Sequence, residues 1–265
     1  MLDMLREAQR KRYAVGYFES WNLESLRAVI EAAEEERSPV IVGFSGSILA
    51  NRGHRLEPYA AIGKIAVKTA AIPAALLLNE ASSFRQIIDG LRLGFTSLMM
   101  DTSSLPYEKN VQLTKKIVEA AHAEGACVEA QLDELPCARD GVLPGGVRET
   151  SLTDPERAAE FVKKTGVDAL AVSVGNVHGL YRAKAKIDFN RLKRLKERIE
   201  TPLVLHGATG VSDDSARRAI QLGICKVNVG AALRSAFISG MKRSLEVGSK
   251  MDPEEVLESA VRELK

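Results

Sequence analysis

Eight short, apolar, β-prone runs alternate with amphipathic helical stretches along the 265 residues, and no other feature constrains the fold as much. The runs are Ala14–Phe18, Pro39–Ser45, Ala74–Leu78, Ser97–Asp101, Cys127–Leu132, Ala169–Gly175, Pro202–Gly207 and Cys225–Val229. Several are apolar at consecutive positions, the pattern of strands covered on both faces in a parallel sheet. Between them lie Leu23–Arg37, Leu56–Lys68, Phe84–Arg92, Asn110–Ala123, Pro155–Lys164, Asn190–Arg198 and Asp214–Leu222. Asn22 before Leu23, Ser82 before Phe84 and the Asp154-Pro155 pair supply helix-start signals. Eight strand–helix units in a chain of this length predict an α/β fold, one closed (β/α)8 TIM barrel, over an open doubly wound sheet. The open sheet usually carries a glycine-rich turn after its first strand, and Phe18-Glu19-Ser20-Trp21 has none.

No repeat, low-complexity tract or Pro/Gly-rich linker divides the chain, so residues 1–265 are expected to form a single domain. A last helix, Pro253–Leu264, is expected on the barrel exterior or at a subunit contact. The longest connection, residues 133–152, follows the fifth strand on a barrel's active face and is expected to form a lid loop.

The near balance of 37 basic and 35 acidic residues argues against a nucleic-acid binder. Met1–Lys11 is charged throughout, without the apolar core of a signal peptide, and no run approaches the ~20 apolar residues of a membrane span. A cytoplasmic protein without membrane association is therefore expected. Cys127 and Cys225 sit in apolar runs as buried thiols, Cys137 lies in a loop, and the three make no CxxC pair.

Two of the four histidines, His178 and His206, fall at strand C-termini, where barrels place ligands and where imidazole commonly binds divalent metal. Each also has a structural reading, as a lone histidine usually does. His122 is expected on a helix surface, and His54, in the second strand–helix loop, is within range of the barrel mouth. Gly207-Ala208-Thr209-Gly210 precedes a helix and can cradle an anion on backbone N–H groups. Asn228-Val229-Gly230-Ala231 repeats the arrangement after the eighth strand, and barrels often hold phosphate between these two loops.

These segments resemble the class II, metal-dependent ketose-bisphosphate (fructose-bisphosphate) aldolases, with matches across nearly the whole chain. Gly175-Asn176-Val177-His178-Gly179-Leu180-Tyr181 looks like the family segment with one zinc histidine. Leu205-His206-Gly207-Ala208-Thr209-Gly210 resembles its His-Gly-Gly-Ser-Gly, which gives another zinc histidine and part of the phosphate site. Gly223-Ile224-Cys225-Lys226-Val227-Asn228 is similar to the strand whose asparagine contacts the ketose or enediolate. The resemblance implies a lyase that makes or breaks a carbon–carbon bond in a phosphorylated keto-sugar or a dihydroxyacetone phosphate-like compound. It implies a divalent metal, zinc, on His178, His206 and Glu80, and a homodimer or homotetramer. Arg182, Gly179, Gly207, Thr209, Gly210, Gly230 and Ser45 would bind phosphate and substrate.

The departures fall on chemistry. Where the family carries His-x-Asp-His, this chain reads Leu77-Leu78-Asn79-Glu80. Asn79 occupies the place of the acid/base aspartate but cannot transfer a proton as a carboxylate does. Glu80 stands for the zinc histidine, and has three readings: ligand, base, or surface partner of Arg85. Gln131 stands where the family favours a second acid, and Arg139-Asp140-Gly141 aligns with its Glu-Asp-Gly, leaving Glu134 or Asp140 as substitutes. The base is thus open among Glu80, Asp133 and Glu134, and the catalytic candidates are Glu80, Asn79, Asn228 and Glu134. Lys226 admits a Schiff-base reading, with a structural one preferred. Two alternatives follow: a catalytically silent sugar-phosphate binding or partner subunit, and a metal-dependent sugar-phosphate isomerase or epimerase.

Overall fold

The computed structural model describes residues 1–138, 141–143, 145–181, 183–246 and 252–265. Eight parallel strands close into a barrel in sequence order, with β1 pairing both β2 and β8. They are β1 Val15–Glu19, β2 Val40–Ser45, β3 Ala74–Asn79, β4 Ser97–Met99, β5 Cys127–Gln131, β6 Ala169–Ala171, β7 Leu203–Leu205 and β8 Ile224–Val229. The helices are α1 Leu2–Lys11, α2 Leu23–Glu35, α3 Gly46–Asn51, α4 Leu56–Thr69, α5 Phe84–Leu93 and α6 Tyr107–Ala123. They continue with α7 Pro155–Thr165, α8 Phe189–Arg198, α9 Asp213–Gln221, α10 Ala231–Glu246 and α11 Pro253–Leu264.

Each strand divides its side chains between two cores, because successive residues point to opposite faces. Val40, Val42 and Phe44 of β2 face outward with Leu76 and Leu78 of β3 into the layer beneath the helices. Tyr17, Ile41, Ala75, Leu77 and Met99 face inward and fill the barrel. Leu5 and Ala8 of α1 join this inner core with no exposed surface, so the N-terminal helix plugs the base of the barrel. Among the described residues, no helix is long and apolar enough to cross a membrane.

The structure corrects several sequence expectations. Asn22 and Asp154 do cap α2 and α7, but the cap of α5 is Ser83, which accepts from the Gln86 amide; the expected Ser82 instead donates to the Gln86 side chain. β6 stops at Ala171, short of the expected Gly175. Beyond it, the Ser173 amide donates to the Thr153 hydroxyl and the Val174 amide to the Asn176 side chain, so side chains replace the ladder. α11 packs on α10 and α2 outside the barrel. After β5, the chain lies against the loop that follows β6, with bridges from Cys137 to His178 and from Gly141 to Tyr181.

Candidate metal centre

The inward track of each strand continues past the apolar layers to its C-terminal end, and polar side chains begin there. Counting by twos, Tyr17 leads to Glu19, Leu77 to Asn79, Glu129 to Gln131, and Val204 to His206. The closed register brings these ends into one ring: Glu19 lies beside Gly43, Ser45 beside Asn79, and Tyr17 beside Asn228.

Glu80, His178 and His206 meet in this ring, with one candidate ligand atom from each lying within 4.8 Å of the others. They form the one such group of three or more His, Cys, Asp or Glu among the described residues. Glu80 follows β3 with φ 48°, a left-handed conformation that costs a non-glycine residue of order 1 kcal/mol or more. Its carbonyl accepts the Ser47 amide at 2.8 Å, the next amide, of Ala81, donates to the Met99 carbonyl at 2.7 Å, and the Ser45 hydroxyl reaches its carboxylate at 3.4 Å. Burial raises the Glu80 carboxyl above its ordinary range, with His206 opposing and Asp101 adding to the rise. The surface reading is overturned, since Arg85 pairs with Asp89 along its own helix.

His178 is held by its backbone, which donates to the Pro136 carbonyl at 2.8 Å and accepts from the Ala138 amide at 2.9 Å. Burial, aided by His206, brings its imidazole down to about 4, against a weaker upward pull from Asp101. It is therefore neutral near pH 7, the form that binds metal. His206 is 1% exposed and its Nε2 lies 2.6 Å from the Glu129 carboxylate, leaving Nδ1 as the second ring nitrogen.

Glu129 is the hidden half of the site. Burial alone would raise its carboxyl, but Lys226 and His206 beside it hold it down to about 2. Lys226, with no exposed side-chain surface, lies 2.8 Å from the second Glu129 oxygen as an ion pair outside hydrogen-bond alignment, and donates to Asn228 Oδ1 at 2.6 Å. This engagement favours the structural reading of Lys226. A carboxylate behind a ligating imidazole is the usual support of a metal-binding histidine. Two imidazoles and a carboxylate suit a divalent ion with open positions, so the donor set fits the implied metal.

A cavity of about 280 Å³ opens above the cluster. Asn79, Asn228, Gly179, Gly207, Thr209 and Gly230 line it with the three candidate ligands. Ser45 and Gly210 are buried beside it: Ser45 contacts Glu80, and Gly210 packs near Tyr181. Glu134 is exposed and lines a neighbouring depression with Asp133; Cys137 borders both spaces. Arg182, Arg139 and Asp140 lie outside the described residues. Exposed His122 pairs with Asp168, and His54 bonds the Tyr59 hydroxyl, so neither joins the cluster. Cys127 and Cys225 are buried and Cys137 is exposed, each a free thiol. Sequence reading missed Glu19 and Arg234, which line the cavity as a 2.6 Å ion pair. Period-two counting from Tyr17 was the signal that could have found Glu19.

The fructose-bisphosphate aldolase class-II family model matches residues 1–265. The chain is 38% identical over 259 residues to a fructose-bisphosphate aldolase of Geobacillus stearothermophilus, covering 97% of this chain and 89% of that one. It superimposes on the crystal structure of the YdjI aldolase from Escherichia coli K12 with TM-score 0.87 and 33% identity, over 100% of this chain and 92% of the other. The fructose-bisphosphate aldolase of Campylobacter jejuni, at TM-score 0.80 and 21% identity over 99% and 90% of the two chains, shares the fold.

Proposed function

The chain belongs to the class II fructose-bisphosphate aldolase family, and we propose that it is a lyase cleaving or forming a carbon–carbon bond in a phosphorylated keto-sugar. The observation that carries the reading is the Glu80, His178 and His206 cluster on the cavity floor, with Glu129 supporting His206. These three side chains would hold the divalent ion. When bound, such an ion polarises the ketose carbonyl and offsets the charge that develops on its oxygen.

The chain's own groups supply the rest. Lys226 fixes the Asn228 amide by taking its oxygen, which leaves Nδ2 buried without a partner and able to donate to a substrate oxygen in the cavity. Asn79 Oδ1 is likewise buried and unpartnered, and accepts a substrate hydroxyl where the family aspartate would move a proton. The Gly207 turn, Thr209 and the amides opening α10 hold the phosphate; the Thr209 hydroxyl already accepts the Ala232 amide at 3.2 Å. Gly179, Gly210, Gly230 and Ser45 shape the walls around these groups; Arg182, outside the described residues, is proposed as a phosphate contact on the resemblance alone.

We assign proton transfer to Glu134. Asn79 has no acid function, and Glu134 borders the depression that adjoins the cavity at Cys137, on the expected lid segment. Glu134→Gln is expected to lower kcat by about 10²–10⁴-fold and leave metal affinity within threefold. Zinc matches the nitrogen-rich donor set; the resemblance favours a homodimer or homotetramer, and a cytoplasmic location is proposed with them.

Steady-state cleavage of ketose phosphates, followed by released dihydroxyacetone phosphate, tests the reading. Activity should vanish on chelation and return with a divalent ion. Cleavage that persists in metal-free protein, or no cleavage of any ketose phosphate by metal-loaded protein, contradicts it.

A further inference from the structure

Glu19 and Arg234 enter the cavity from β1 and from the first turn of α10, on the side of the barrel that sequence reasoning left blank. The Arg234 guanidinium donates to Glu19 Oε2 at 2.6 Å. It also stands 5.9 Å from the centre of the Trp21 ring, which packs edge-on against Phe237. The pair is thus built into the wall, and the Glu19 side chain is only 13% exposed. Its position is coupled to Gly230: a Cβ there would lie 2.7 Å from Glu19 Oε2. Glycine at position 230 leaves room that the carboxylate from β1 fills.

The pair's chemistry selects its ligand. Arg234 satisfies one Glu19 oxygen and neutralises its charge, while Oε1 has no hydrogen-bond partner among the described residues. A hydroxyl donates to such an oxygen and accepts from a guanidinium, so a polyol satisfies both groups. A phosphate offers acceptors alone, so it can only compete with Glu19 for Arg234 and gives the free carboxyl oxygen no donor. The backbone amides suited to phosphate belong instead to the β7 and β8 turns, at Gly207 and at the start of α10.

We propose that the Glu19–Arg234 pair is the specificity determinant of this site, binding hydroxyls of the keto-sugar phosphate and disfavouring a second phosphate on that wall. The inference rests on the lyase reading and narrows its substrate class to ketose monophosphates with a neutral, hydroxylated far end.

Fructose 1-phosphate and fructose 1,6-bisphosphate share the ketose half and differ at that far end. Wild-type protein should cleave the monophosphate with at least tenfold higher kcat/KM. Glu19→Gln, nearly isosteric, turns the acceptor into a donor and releases Arg234. It should cut that ratio at least threefold, mainly through KM for the bisphosphate. A wild-type preference for the bisphosphate, or a smaller change in the ratio, overturns the proposal. Equilibrium binding of mannitol 1-phosphate and a hexitol 1,6-bisphosphate to metal-loaded wild type and Glu19→Gln provides a second reading with the same thresholds. If neither ketose is cleaved, the binding ratio alone decides the role of the pair, and the lyase reading is decided separately by the wider set of ketose phosphates.

Discussion

Glu129 shows how a buried charge is kept in place for a neighbour. With no exposed surface, its carboxylate is held between His206 and Lys226, so removing its charge strands a buried cation and frees a ring that should be fixed. Glu129→Gln is therefore expected to weaken metal binding by about 10–100-fold and to cost about 3–5 kcal/mol of stability, read by metal titration and chemical denaturation. Unchanged metal affinity would show that the His206 contact does not support the ligand. Glu19 makes the opposite case, because burial lifts its carboxyl to about 7, with Arg234 opposing and Glu80 adding to the rise. Between the unfolded value near 4.5 and 7 the folded protein binds more protons at this group, so stability falls as pH rises through that window. Glu19→Gln removes the penalty. Its advantage over metal-free wild type should grow by on the order of 2 kcal/mol between pH 5 and pH 8.5, and a pH-independent difference in denaturation midpoint would contradict the assignment. His178 and His206 were legible from sequence because histidine at a strand end has a specific chemistry. Glu129 and Glu19 were not, since a carboxylate in a strand shows its partners only once the barrel closes.

The turns carry the site's precision at the scale of the element. Gly207 follows His206 with φ 65°, and a Cβ there would come 2.3 Å from the Val177 carbonyl, in the loop that carries His178. Gly207→Ala thus strains the backbone at one ligand and pushes on the loop of another. We expect a loss of roughly 2 kcal/mol or more, accompanied by weaker metal binding in the same titration; destabilisation without a change in metal affinity would separate this turn from the centre. Strand positions were legible because parallel strands buried on both faces leave continuous apolar runs. α1 was not: Leu5 and Ala8 are interspersed with charge, and the sequence gives no hint that the barrel base awaits them. α3 is too short for periodicity to reveal, and the weak amphipathic pattern of α10 hides it in the same way.

For the whole molecule, closure of the barrel is what turns scattered residues into chemistry. Glu80 and His206 are far apart in sequence, yet β3 and β7 deliver them to one cavity with His178 from the loop after β6. The family was legible because glycine-flanked histidines and the asparagine strand survive as local motifs. The altered chemistry was legible only as a set of losses, at Asn79 and Gln131; the Glu19–Arg234 pair is a three-dimensional fact. Glu80, standing where the family has histidine, is proposed to complete the metal centre. Zinc titration of chelator-stripped wild type, Glu80→Ala, His178→Ala and His206→Ala at neutral pH decides this. One tight ion per wild-type chain is expected, with at least a tenfold loss of affinity in each variant, Glu80→Ala included. Wild-type affinity in Glu80→Ala, or no tight binding by the wild type, would contradict it.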